Sequence, residues 1–157
     1  MTPALDAFLR RFAELGGDVD RWEQSEPSNP TLTFPALHDS VGHISVDDNG
    51  DELTLELGTK HHTHFSGYSY EGNSGHERLL AAAHDAAAFA FDVISDRVCF
   101  TVDYIDDRCI GSSHFYLDAE NATADTVRDT MIGIRGGNIR SDRYLWSSPL
   151  QPEHGEQ

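Results

Sequence analysis

The run VGHISVDDNGDELTLELG, residues 41–58, constrains the fold more than any other part of the chain, because it reads as two strands joined by a tight turn. Apolar and polar residues alternate on both sides of Asn49 and Gly50, a pair that tolerates the positive φ angles of a two-residue type I′ turn. The register set by that turn places Val46 opposite Leu53 and Ile44 opposite Leu55, with Ser45, Asp47, Glu52 and Thr54 on the other face. A calcium loop is the competing reading, since Asp47, Asn49 and Asp51 alternate like calcium ligands. That loop needs Gly at its sixth position and Glu at its twelfth, where Glu52 and Gly58 stand, so the turn is preferred.

The same alternation runs on into KHHTHF, residues 60–65, the densest chemistry in the sequence. Leu53, Leu55, Leu57, His61 and Phe65 fall on the core side, and His62 and His64 share the opposite side. Alternate residues of a strand project about 6 to 7 Å apart, a spacing from which two imidazoles can reach one metal such as zinc. Zinc takes three or four ligands, and Glu56, Glu71, His43 and His76 are the nearest candidates to complete the set. Three other readings use the same residues. The histidines can decorate a polar sheet face, they can hydrogen-bond neighbouring carboxylates, or His61, His62, His64, Tyr68 and Tyr70 can form a recognition patch of large rings with polar tips.

Helices are expected on both sides of this region. Thr2 and Pro3 suit a cap and first turn, and Leu5, Phe8, Leu9, Phe12 and Leu15 keep helical spacing until Gly16 and Gly17 stop it. DVDRWEQSEPSNP then reads as a loop anchored by Trp22. Ser74 and Glu77 make a capping-box pattern ahead of a longer helix, with Leu80, Ala83, Ala87, Phe91 and Ile94 along one side. His84, beside that stripe, reads as a packed or surface residue, because a general base needs a partner and a pocket.

RVCFTVDYIDDRCIGSSHFYLD predicts a second hairpin turning at Asp106 and Asp107, with Phe115 opposite Val98 and Cys109 opposite Tyr104. This register puts His114 opposite Cys99, a pair that raises a thiol protease; the sequence supplies no orienting third group. Cys99 and Cys109 then point to opposite faces and are read as free thiols. A third helix is expected over NATADTVRDTM, starting at Asn121 or Thr123, with a final strand in RYLWSS ended by Pro149. The absence of regular βαβ alternation favours an α+β fold: one domain over residues 1–150, mainly antiparallel sheet built from two hairpins with helices packed on one side, and a flexible tail at 151–157.

Charge narrows the function. Of 157 residues, 27 are acidic and 11 basic, a formal net charge of −16. Nucleic acid binding rests on clustered cations, and the one late group, Arg128, Arg135, Arg140 and Arg143, is interleaved with Asp125, Asp129 and Asp142. No membrane span or signal peptide is expected, which points to the cytoplasm. An acidic surface steers a basic protein towards it. With no complete catalytic set and no cofactor motif, the leading expectation is a non-enzymatic binding protein of immunity or inhibitor type that masks a basic protein partner, with Asp106, Asp107, His61, Tyr68 and Tyr70 as contact residues. The alternatives are a metal-binding protein or metal-dependent enzyme centred on His62 and His64, or a small-ligand domain.

Overall fold

A computed structural model describes residues 1–25, 30–72, 74–117, 140–147 and 149–150, the last pair by backbone alone. Helix α1 (Pro3–Glu14) leads into a 3₁₀ turn (Val19–Arg21) and strands β1 (Glu23–Gln24), β2 (Thr31–Phe34), β3 (Ile44–Asp48), β4 (Glu52–Leu57) and β5 (His61–Ser66). A second 3₁₀ turn (Gly67–Ser69) precedes α2 (Gly75–Ile94), followed by β6 (Val98–Ile105), β7 (Arg108–Tyr116), β8 (Arg140–Tyr144) and β9 (Pro149–Leu150). All pairings are antiparallel, in the orders β1-β2-β3-β4-β5 and β7-β6-β8-β9. The fold is α+β as expected, but the two hairpins belong to separate sheets. No described helix is long and apolar enough to cross a membrane. The third helix expected from residue 121 and the tail at 151–157 lie outside the described residues.

Both helix starts follow the chemistry read from the sequence. Thr2 Oγ1 accepts from the Leu5 amide at 3.3 Å with Pro3 in the first turn, and Ser74 and Glu77 make both halves of a capping box at 3.2 and 3.0 Å. Helix α2 buries Ala82, Ala83, Ala86, Ala87, Phe89, Ala90 and Val93, a broader face than the stripe through Leu80, Phe91 and Ile94, which are only half-buried. It packs against α1, β4, β5 and β6. Phe8, Phe12, Trp22, Phe34, Phe91 and Trp146 fill the space beside it with mostly edge-to-face ring contacts, and Phe34 meets Trp146 at 6.2 Å between centroids. Trp146, just beyond β8, thereby joins the core of the five-stranded sheet. The loop expected after α1 holds Trp22 as its anchor, and it also contains β1. Pro149 does not end the last strand; it begins β9, opposite Tyr144.

The first hairpin turns one residue later than expected. Gly50 and Asp51 form its tip, only Gly50 has positive φ (+93°), and the Asp48 carboxylate accepts from the Gly50 amide at 2.8 Å. Val46 therefore pairs with Leu55 and Ile44 with Leu57, a slip of two residues from the expected register. Two is the side-chain period of a strand, so every residue keeps its expected face.

The second hairpin does turn at Asp106 and Asp107, whose φ angles of 50° and 60° have the signs of a type I′ turn. Cys109 pairs with Tyr104 as expected. The register then shifts by one residue, so Gly111 pairs with Asp103, His114 with Phe100, Phe115 with Cys99 and Tyr116 with Val98. The slip here is a single residue, and it moves Ser112 and His114 to the face that carries Phe100 and Val102. The expected Cys99–His114 pair is therefore overturned. Cys99 is buried, Cys109 is exposed, and both are free thiols.

Close backbone packing fixes the β4–β5 turn. Gly58 has φ +54°, and a Cβ there would stand 2.3 Å from the Val41 carbonyl oxygen and 3.1 Å from Gly42 Cα. Substituting Gly58→Ala is expected to destabilise by about 2–4 kcal/mol, combining left-handed strain with a backbone clash. Gly50→Ala, where a Cβ meets nothing within 4 Å, carries strain alone, about 1–2 kcal/mol. Urea melts of both variants would show the order, and equal midpoints would mean that the turn can relax around the new methyl group.

Candidate functional site

Strand β5 divides KHHTHF between two environments. His61, Thr63 and Phe65 pair with Leu57, Leu55 and Leu53 and are half-buried on the core side, while His62 and His64 are exposed opposite Glu56 and Thr54. The alternation expected from the sequence is present even though the chain folds back at residues 58–60, because Leu57 and His61 become direct cross-strand partners.

On the exposed side, His64 Nδ1 lies 2.9 Å from Glu52 Oε1 and 3.2 Å from Thr54 Oγ1. The His62 and His64 rings are 5.2 Å apart between centroids. Glu56 is opposite His62, His43 sits beside Gly58 through a 2.7 Å hydrogen bond from the Gly58 amide to the His43 carbonyl, and Glu71 and His76 lie beyond the far end of β5. The four candidate third ligands are thus distributed over both ends of the strand. Among the described residues, no three His, Cys, Asp or Glu side chains converge as a metal-ligand set.

The candidate contact residues are also dispersed. Tyr68 is 76% exposed beside the tip of the first hairpin. Tyr70 is half-buried and hydrogen-bonded to Asp85, and burial together with that carboxylate pushes its phenol up to about 12. Asp106 and Asp107 stand at the tip of the second hairpin, where Asp107 pairs with Arg140 at 2.8 Å. His61 is half-buried, and its ring meets the other sheet.

That meeting point is a constellation the sequence did not reveal. His61 Nδ1 lies 2.8 Å from Ser112 Oγ, and His61 Nε2 lies 2.9 Å from His114 Nδ1. With its proton on Nε2, His61 accepts from the Ser112 hydroxyl and donates to His114, so the three groups form a hydrogen-bonded chain across the sheet junction. Phe89 of α2 packs on His114 at 4.8 Å between ring centroids and on Phe65 at 5.9 Å, which holds the outer imidazole in place. An open cleft of about 500 Å³ runs alongside, lined by Lys60, His61, His62, Cys109, Gly111 and Ser112 among others. The sequence signal that could have found this site was Gly111, a glycine within a strand beside a bulge, where backbone approaches closely or a ligand enters.

Burial sets the charge state of the cluster. Desolvation, then the nearby His114 and His62, pushes the His61 pKa from 6.5 down to about 4, and burial lowers that of His114 as well. Both shifts favour the neutral ring, as a hydrogen bond between two imidazoles requires of at least one of them. Cys99, by contrast, has its thiol pushed up by burial, which keeps it protonated and unreactive.

No protein-family model, curated protein or solved structure matches this chain.

A pH dependence of stability follows from the depressed His61 value. The unfolded chain takes up this proton near pH 6.5 and the folded chain only near 4, so the contribution is complete above 6.5 and declines as pH falls towards 4. Allowing for the partial exposure of the ring, the loss is on the order of 1–2 kcal/mol. Chemical denaturation of the native chain and His61→Gln between pH 7 and 4.5 would isolate it: the native chain is expected to lose more stability than the variant, and parallel profiles would contradict the assignment.

Proposed function

We propose that this is an acidic binding protein that neutralises or inhibits a basic protein partner, and that it presents the outward face of the five-stranded sheet to that partner. The observation that carries this reading is the chemistry of that face. Direct cross-strand partners form one row through Glu23, Thr33, Ser45, Glu56 and His62 and another through Thr31, Asp47, Thr54 and His64, with Glu52 alongside. None of the five strands contains Lys or Arg. Among the described residues, the helices and apolar side chains lie on the opposite face.

Its physical properties suit a cation-rich surface. Ser45 and Thr54 are buried, while Glu56, His62 and His64 stand exposed at the margin. Hydroxyls paired to carboxylates, as Thr31 is to Asp47, pre-orient acceptors for incoming guanidinium or ammonium groups. The net charge of −16 adds long-range steering, which accelerates encounter most at low salt. Exposed Tyr68 and the Asp106–Asp107 turn lie away from this face, and of these only the carboxylates add to steering.

Cross-linking in the native cell, followed by titration of the identified partner with purified chain, tests the proposal. Glu52→Lys with Glu56→Lys is expected to weaken a basic partner at least tenfold, chiefly through slower association at low salt. Asp6→Lys with Glu14→Lys changes the net charge equally on exposed α1 and is expected to have a much smaller effect. Equal losses in the two pairs would reduce the face to bulk charge, and a partner without a cationic surface would overturn the reading.

A further inference from the structure

The junction between the sheets carries chemistry that the outward face does not use. We propose that Ser112, His61 and His114 act as nucleophile, general base and positioning group for acyl transfer, with small neutral carboxylic esters or thioesters as the substrate class. This goes beyond the binding function and rests on a different surface.

The geometry is that of an activated serine. The nucleophile and base are within hydrogen-bond reach at 2.8 Å, and the base is held from its other nitrogen at 2.9 Å, the arrangement that activates a hydroxyl. Ser112 lines the open cleft of about 500 Å³, and its neighbour Gly111 places no side chain in the approach. The bulge at Ile110 aims Ser112 at His61; in a regular ladder it would point to the other face. Among the described residues lining the cleft, Lys60 is the one lysine or arginine; its ammonium lies 5.0 Å from the Tyr144 ring centroid and supplies positive charge for an oxyanion.

The reaction balances within these groups. Ser112 Oγ bonds to the substrate carbonyl carbon as its proton passes to His61 Nδ1 and the carbonyl π pair moves to oxygen. Collapse breaks the bond to the leaving alkoxide or thiolate, which takes that proton from His61. Water then attacks the acyl-serine, gives a proton to His61, and releases the carboxylic acid as Ser112 recovers its proton. The substrate class follows from two features. A neutral imidazole stands where the well-known triad has a carboxylate, so the imidazolium is less stabilised and a good leaving group is required, which favours esters over amides. The strongly negative chain repels anionic substrates.

The full-length chain incubated with a fluorophosphonate, analysed by intact mass and peptide mapping, provides the test, together with p-nitrophenyl acetate hydrolysis. One phosphonate on Ser112 is expected, absent from Ser112→Ala but formed in Ser113→Ala, whose hydroxyl bonds Thr101 instead. His61→Gln should slow labelling by about 10²–10⁴-fold, the range for a general base. His114→Leu should slow it at least tenfold and His114→Asn, which restores an acceptor near Nδ1, should recover most of the rate, a rescue that a purely structural role does not produce. Circular dichroism and melting of each variant separate these effects from unfolding. No adduct on the folded native chain under conditions that fully label a reference serine hydrolase, or an adduct mapped to Cys109, would overturn the proposal, whereas the binding reading would stand.

Discussion

The fold depends on how closely α2 lies against what surrounds it. Ala82, Ala83, Ala86, Ala87 and Ala90 have no side chain beyond Cβ, so one helix can contact α1, the five-stranded sheet and β6 without opening voids. The larger residues at the margins then reach defined partners. Phe91 meets Phe12 of α1, while Phe89 wedges between Phe65 of β5 and His114 of β7. Each buried ring contributes roughly 1.5–3 kcal/mol, and Phe89 contributes position as well, because its ring packs on His114 at 4.8 Å between centroids. The imidazole cluster is therefore a consequence of the alanine helix.

Strand parity converts that packing into chemistry. The two hairpins depart from their simplest registers by two residues and by one. The two-residue slip at Gly50 and Asp51 leaves Ile44, Val46, Leu53 and Leu55 inward, because the side-chain pattern repeats at that interval. The one-residue slip after Cys109 reverses faces for the rest of β7, taking His114 away from the thiol of Cys99 and delivering it, with Ser112, to His61. A bulge is a small change in hydrogen bonding and a large change in which groups meet.

This explains what was legible in the residues. Caps at Thr2 and Ser74, the glycine stop after Leu15, the anchor Trp22, the Asp106–Asp107 turn and the inward and outward sets of β4 and β5 are set by local periodicity and backbone preference, and each is present. Strands β1 and β2 were not legible, since two and four residues are too few to show a period. The partition of strands into two sheets, and the contact of β5 with β7, arise from pairing between distant segments. No local pattern encodes a contact between His61 and His114, which are 53 residues apart. The acidity was readable at once; that the outward face of one sheet lacks Lys and Arg in every strand became visible only when the strands were assembled side by side.

The question posed by three histidines in four residues then has a physical answer in dielectric terms. Adjacent residues of one strand face opposite media, so KHHTHF holds two kinds of imidazole. His64 and His62 stand exposed beside Glu52 and Glu56, with His64 Nδ1 2.9 Å from the Glu52 carboxylate. His61 turns into the sheet junction, where desolvation opposes charge and leaves a neutral ring with one nitrogen for a hydroxyl and one for a second imidazole. A residue kept neutral in this way is poised to accept a proton only when a reaction delivers one, and a residue kept in water is poised to meet charge. The two surfaces of β5 can therefore do different work within one strand.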